Sequence, residues 1–394
     1  MDAVVVTGPG ELVVRQVPEP TIEKPTDVLL RLTSSAICGS DLHIYQQRLG
    51  AFIDQVIGHE PLGVVQAVGA DVLSVRNGDR VVVPTHICCG FCGNCRDGNS
   101  AACLTVNPGK AGGAYGYPKM GGYQGAQTRL LRVPLADANC LKLPGEPNDE
   151  FEDDFVMLAD AFPTGYHATE LAHVGLGDSV VIYGAGAVGL SAVMSSFVRG
   201  AAVVYAVDYV PERLAKAGAF GAVPVDFRAG DPIEQIKRMQ SKRRDSAAHR
   251  DEKVMGGVTC GIDAIGFQAR DYKDLTRENP RQVIQDLAKL VNPGGHIGII
   301  GVFPESDPKG PDPMLQGGDI PVPWGPLFSK GISIGMGRDP DERYNRHLRD
   351  LIWAKKVRPG RIVSHRLSIA DAVDAYGKFD RRTDGYIKVV LRPG

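Results

Sequence analysis

The chain lacks an excess of charge of either sign. Its 44 Lys and Arg face 46 Asp and Glu, a formal net charge of −2 over 394 residues. No global basic field points to nucleic acid. Long hydrophobic runs are also missing: none approaches the roughly 18 apolar residues of a membrane span. The opening MDAVVVTGPGELVV has an acid at position 2 and no basic segment ahead of its apolar residues, so it does not read as a secretion signal. The expected setting is cytoplasmic. No internal repeat is visible. Hydrophobic content is 43%, ordinary for a globular protein, and the length favours two domains.

What is present changes texture along the chain. Residues 1–150 alternate short β-type runs with Gly/Pro turns, beginning with a strand, a turn at Gly8-Pro9-Gly10 and a second strand. From about residue 164, TGYHATELAHVGLG reads as a helix ended by glycine. Then SVVIY, VVYAV, AVPVDF, GIDAIG and HIGIIG appear as apolar strands with helical segments between them, the pattern of a parallel sheet covered on both faces. GISIGMG (331–337) adds a further strand. The tail reads as a helix around DERYNRHLRDLIWAKK, a strand RIVSHRL, a helix SIADAVDAYGKFD and a strand YIKVVL. The basic run 237–253 reads as a solvated helix and loop, and 304–323 as a long irregular loop.

Five of the eight cysteines fall between Cys88 and Cys103. Cys89, Cys92, Cys95 and Cys103 make a C-x2-C-x2-C-x7-C pattern. Four thiolates on one short loop close a tetrahedral zinc site with no open position, which is a structural site. Cys88 is left over, and no role is assigned to Cys140 or Cys260.

YGAGAVGL carries G-x-G-x-x-G at Gly184, Gly186 and Gly189, with Ala187 and Val188 inside it. It follows a strand and opens a helix, and Asp208 ends the next strand 19 residues after Gly189. That context is a dinucleotide fold, with backbone amides presented to a pyrophosphate. Asp208 would accept the two ribose hydroxyls. Tyr209-Val210 follow it, with Arg213 further on, so NAD is favoured over NADP.

Cys38 and His59, in CGSDLH and GHEPLGVVQAVG, offer one sulfur and one imidazole, both suited to zinc. Alone they fall short of the three protein ligands of a catalytic zinc. Asp160, in MLADAFPTGYHA, is a lone acid in an apolar run; burial there demands a partner.

Together the GHE-x2-G-x5-G segment, the four-cysteine loop and the dinucleotide fingerprint resemble the zinc-dependent medium-chain alcohol dehydrogenases over nearly the whole chain. The resemblance implies an α/β protein. Its β-rich GroES-like catalytic domain would span 1–160 and 339–394, and its Rossmann domain, a doubly wound parallel sheet, would span 161–338. It places Asp160 where most members carry a third zinc-binding cysteine. An aspartate there marks the glutathione-independent formaldehyde dehydrogenases and dismutases, which CGSD-x-H and IDAIGFQAR also resemble. In that branch an inserted loop packs over the adenine; Phe267 to Pro280 is its counterpart here.

The resemblance further implies two zinc ions and NAD per chain, with Ser40 and His43 as a proton relay. Asp41 would orient His59, Glu60 would lie beside the zinc, and Lys388 would lie near the cofactor phosphates. The expected substrate is a small alcohol or an aldehyde as its hydrate. Thr85 replaces a large aromatic common at its position, which opens room for a larger alcohol or polyol. Gly39 replaces a basic residue that some alcohol dehydrogenases use for phosphate. A non-catalytic NAD- and zinc-binding protein is the rival of another class, and the set Cys38, Ser40, His43, His59 and Asp160 argues against it. GISIGMG, by analogy, continues a sheet across a two-fold axis in a dimer or homotetramer.

Overall fold

A computed structural model describes residues 1–50, 52–245 and 256–394. The chain divides into two compact units, Met1–Pro163 with Arg338–Gly394, and Thr164–Gly337.

The first unit opens on an antiparallel hairpin, Asp2–Gly8 with Glu11–Gln16, whose turn uses Gly10 at φ +75°. Its main sheet runs in the order Leu141–Lys142, Arg80–Val82, Glu60–Val68, Val28–Ile37, Val389–Arg392, His365–Ser368, and Leu130–Val133 also pairs with Val28–Ile37. Alternating apolar residues on these strands pack one core through Leu30, Leu32, Val65, Val81 and Leu131. A second core gathers Ile37, Ile44, Val389 and Leu391 under the helix Ala372–Arg381.

Strand Val28–Ile37 is long enough to pair with three other strands, and its far end delivers Cys38. The start of Glu60–Val68 pairs with that same end, so His59 and Glu60 arrive beside Cys38. The helix Glu152–Val156 and the 3-10 turn Met157–Ala159 then bring in Asp160.

The second unit holds a six-stranded parallel sheet in the order Val223–Asp226, Val203–Asp208, Ser179–Tyr183, Val258–Asp263, Val291–Ile299, Ser333–Met336. Strand order reverses at Ser179–Tyr183, the switch point of a doubly wound fold, where ligands bind beyond the carboxyl ends of the strands. Helices Ala187–Val198, Pro211–Ala219 and Gln282–Leu290 connect and cover it. No helix among the described residues is long and apolar enough to cross a membrane.

Several local expectations change. The helix Ala161–Leu171 begins three residues before Thr164, and the left-handed residue after it is His173 (φ +50°) rather than a glycine. RIVSHRL is not one strand: a 3-10 turn, Pro359–Ile362, precedes the strand His365–Ser368. SIADAVDAYGKFD begins as a 3-10 turn with a Ser368/Asp371 capping box. The segment 304–323 contains a helical turn, Pro313–Gln316, capped by Asp312. The basic run falls on the helix Pro232–Asp245 and then passes outside the described residues.

Candidate metal and cofactor sites

The cysteine loop follows the short strand His86–Ile87. The turns Gly93–Arg96 and Ser100–Ala102 fold it back on itself. The Sγ atoms of Cys89 and Cys95 are 3.8 Å apart, those of Cys92 and Cys95 3.4 Å, and those of Cys92 and Cys103 3.9 Å. All eight cysteines are free of disulfides. Tetrahedral thiolates around one zinc at 2.3 Å would be about 3.8 Å apart, so these four fit the ion. Backbone amides of Phe91 and Cys92 donate to Cys89 Sγ, and that of Leu104 to Cys92 Sγ. Burial pushes the Cys89 thiol up, but the Thr105 hydroxyl and these amides outweigh it and hold it at about 6. Cys88 points elsewhere: burial and Glu342 push its thiol up. Burial pushes Cys140 and Cys260 up to about 12.

The second cluster is Cys38, His59, Glu60 and Asp160, all buried, with one ligand atom of each within 4.8 Å of the others. Asp160 Oδ2 lies 3.2 Å from both Cys38 Sγ and His59 Nε2. Without a cation, burial and then the Asp160 charge push the Cys38 thiol up to about 11. A sulfur, an imidazole nitrogen and a carboxylate oxygen at these separations fit a zinc with a fourth position left for another ligand. His59 Nδ1 is 2.9 Å from Asp41 Oδ1. With Nδ1 beside Asp41, Nε2 is turned toward Asp160 and is the nitrogen that could face a metal. Asp41 Oδ2 also accepts the Cys38 amide at 2.9 Å. One carboxylate thereby contacts two of the candidate ligands.

Ser40 Oγ is 3.2 Å from Cys38 Sγ and 3.2 Å from His59 Nε2. His43 is buried on the same turn, its amide donating to the Ser40 carbonyl. Thr85 Oγ1 donates to the His59 carbonyl at 2.8 Å, and its amide to the Ala159 carbonyl at 2.8 Å. It therefore ties the two segments that carry His59 and Asp160. Tyr117 was not visible in the sequence as a site residue. Its ring lies 5.4 Å from that of His59, and its loop has only glycines and tyrosines to mark it.

Lys388 is the main displacement from expectation. Its side chain is fully buried and Nζ is 2.5 Å from both Glu60 oxygens. The ammonium neutralises a carboxylate of the candidate metal cluster rather than standing free for a phosphate. Burial pushes Glu60 up to about 7, even with Lys388 acting to lower it.

In the second unit each fingerprint glycine has its own reason. Gly184 has φ +94°, and a Cβ there would meet Ile265 at 2.7 Å. At Gly189 a Cβ would lie 1.8 Å from the Gly184 carbonyl oxygen. A Cβ at Gly186 would meet only Arg213 Nη1, at 3.9 Å, so the protein's own packing does not demand a glycine there. It leaves the cradle a pyrophosphate would fill. Gly186 caps the helix Ala187–Val198 with no side-chain cap, so the first-turn amides of Ala187 and Val188 face outward for an anion.

Asp208 is buried at the end of its strand. It accepts the amides of Ala185 at 2.8 Å, Tyr209 at 2.7 Å and Val210 at 3.0 Å, with Arg213 Nη1 3.8 Å away. A carboxylate has about four acceptor sites, so capacity for a ribose remains. The Phe267 to Pro280 loop packs on the same unit. Its Tyr272 ring is 4.5 Å from Phe227, which is 5.3 Å from Tyr209, and Tyr272 donates to Asp286. An aromatic row thus begins beside Asp208.

Residues 24–145 match the model of the alcohol dehydrogenase GroES-like domain. The chain is 37% identical over 388 residues to a glutathione-independent formaldehyde dehydrogenase of Pseudomonas aeruginosa, covering 96% of this chain and 94% of that protein. It is 34% identical to a formaldehyde dismutase of Pseudomonas putida, covering 99% and 97%. Among solved structures it resembles an alcohol dehydrogenase from Thermus sp. ATN1, with a TM-score of 0.80 and 32% identity over 100% of this chain and 99% of that one.

Proposed function

The chain belongs to the zinc-dependent medium-chain alcohol dehydrogenases, and from that premise we propose that it oxidises an aldehyde hydrate or a small alcohol with NAD, in the manner of glutathione-independent formaldehyde dehydrogenase. The observation that carries the reading is the carboxylate of Asp160, 3.2 Å from both Cys38 Sγ and His59 Nε2.

When bound, zinc supplies a Lewis acid for the substrate oxygen and NAD a hydride acceptor. Cys38, His59 and Asp160 would hold the metal and keep its position fixed. Asp41 holds the tautomer of His59 and the backbone of Cys38. The Ser40 hydroxyl would relay the substrate's proton, and His43, on the same turn, would pass it on. Cys89, Cys92, Cys95 and Cys103 would take the second zinc. Gly184, Gly186, Ala187, Val188 and Gly189 would receive the pyrophosphate, with Asp208 on the ribose and Arg213 beside it. Tyr272 and its loop would cover the adenine and slow release of the cofactor. An aldehyde enters this chemistry as its geminal diol, which has both a hydroxyl and a carbinol hydrogen.

Thr85 favours one second reading, a dehydrogenase of a larger alcohol or polyol, because its side chain fills less space than an aromatic. The test is zinc per chain and NAD released on denaturation of the purified protein, followed by formaldehyde dismutation without added cofactor. At least two zincs per chain with stoichiometric NAD and dismutation support the reading. At least two zincs without NAD, and turnover only of larger alcohols with added NAD, favour the second. A single zinc would remove Asp160 from the metal and sink both.

A further inference from the structure

A third set of metal-ligand side chains lies inside the Met1–Pro163/Arg338–Gly394 unit, and neither zinc site uses it. His86 comes from the strand His86–Ile87. Asp339 and Asp341 come from the turn that opens the helix Asp341–Trp353. All three are buried, at 6%, 3% and 0% exposure. His86 Nδ1 is 3.1 Å from Asp341 Oδ2 and 4.0 Å from Asp339 Oδ1. One donor atom of each lies within 4.8 Å of the others.

Two features of this cluster point to a missing partner. Asp339 Oδ2 and Asp341 Oδ1 are buried with no hydrogen-bond partner. Asn345, four residues after Asp341 and so on the same helix face, is 2% exposed and both its amide atoms are unpartnered. The charge balance agrees. Glu342 lies beside the pair, held by Ser100, and the charge of Asp160 reaches all three residues. Facing these carboxylates are His86 and the neighbouring Arg338. Burial pushes both aspartates up; the Asp341 charge adds to this at Asp339, while at Asp341 a hydrogen bond with Asp339 opposes it and the charges of Glu342 and Asp160 add to it. Buried charges are kept only when paired or on a metal.

We propose that His86, Asp339 and Asp341, with the Asn345 amide oxygen as a fourth donor, bind a divalent transition-metal ion. One imidazole, two carboxylates and an amide form a nitrogen–oxygen set of the kind that takes zinc, cobalt or manganese. The two aspartate charges neutralise the cation, and its binding displaces any proton the pair shares. The rival is that shared proton alone, with no metal.

The decisive experiment counts metal in the full-length protein. Wild type, Asp341→Asn and His86→Gln are equilibrated with excess zinc, desalted and assayed for zinc per chain. The expected result is one zinc fewer in each variant than in wild type, with wild type holding three. Cobalt substitution identifies the extra ion: a thiolate-free site adds weak visible bands without sulfur-to-cobalt charge transfer. Wild type holding only two metals overturns the proposal, and so does an equal count in all three proteins. The wild-type count decides even if a variant fails to fold.

Discussion

At Asp160 a hard carboxylate stands with a soft thiolate and an imidazole. Asp160→Ala should release one zinc per chain while the four-cysteine site keeps its own. It should also lower kcat/KM by more than the 10–100-fold that loss of an outer partner costs. Asp160→Cys should retain the metal, because a thiolate supplies the same charge from a softer atom. Zinc analysis of the two variants checks both. At Lys388 the expectation concerns stability. Lys388→Met leaves Glu60 buried without its counter-ion, a change that costs about 3–5 kcal/mol. The double variant Lys388→Met/Glu60→Gln should recover a large part of that loss, as measured by urea unfolding. How much a sequence reveals differs between these residues. The four cysteines lie within 15 positions and their spacing is chemical in itself. Glu60 and Lys388 are 328 positions apart, and nothing local in either segment marks the pair. His86 and Asp341, 255 positions apart, are hidden in the same way.

Among the elements, the short helix Glu152–Val156 ties much of the first unit's sheet together. Glu152 accepts Thr33 Oγ1 at 2.6 Å and Ser34 Oγ at 2.7 Å, pairs with Arg80, and meets Arg392 at 3.3 Å. Burial acts to raise its pKa, but the two hydroxyls, the Asn148 amide and Arg80 outweigh it and hold the carboxyl below its ordinary value. A depressed carboxylate stabilises the fold above its unfolded pKa, and that contribution is lost as pH falls through the folded one. Wild type should therefore lose stability below about pH 4.5. Glu152→Gln should be less stable at neutral pH and show a shallower acid limb in its urea midpoints. Asp154, which burial raises, works in the opposite direction and is common to both proteins. The strands of the second unit were readable because a sheet buried on both faces needs unbroken apolar runs. The divided tail, 3-10 turn then strand, was not. Pro359 and Gly360 open a turn that takes in the first residues of the run, and the Gly360 amide donates to Asp154 Oδ1, 206 positions away.

At the scale of the whole molecule, the strand Ser333–Met336 is an edge: it pairs only with Val291–Ile299 among the described residues. Near it in sequence, Trp324 is 68% exposed, Phe328 89% and Met336 66%. Exposed apolar side chains by an open edge favour association with a second copy. Phe328→Asp should shift the protein toward a monomer in light scattering. A wild-type protein that is already monomeric would remove the oligomer from the reading.

The two-segment build of the first unit also has a consequence for synthesis on the ribosome. Strand Val389–Arg392 is inserted between Val28–Ile37 and His365–Ser368, inside the sheet rather than at its rim. The nascent chain must therefore emerge through the entire nucleotide unit before the first sheet can close. Until then the half-made sheet offers an unpaired strand to its neighbours, and Glu60 has no ammonium beside it. The nucleotide unit, contiguous in sequence, has no such wait. Vectorial folding would thus complete the parallel-sheet unit first and leave the Cys38, His59, Glu60 and Asp160 cluster to assemble last.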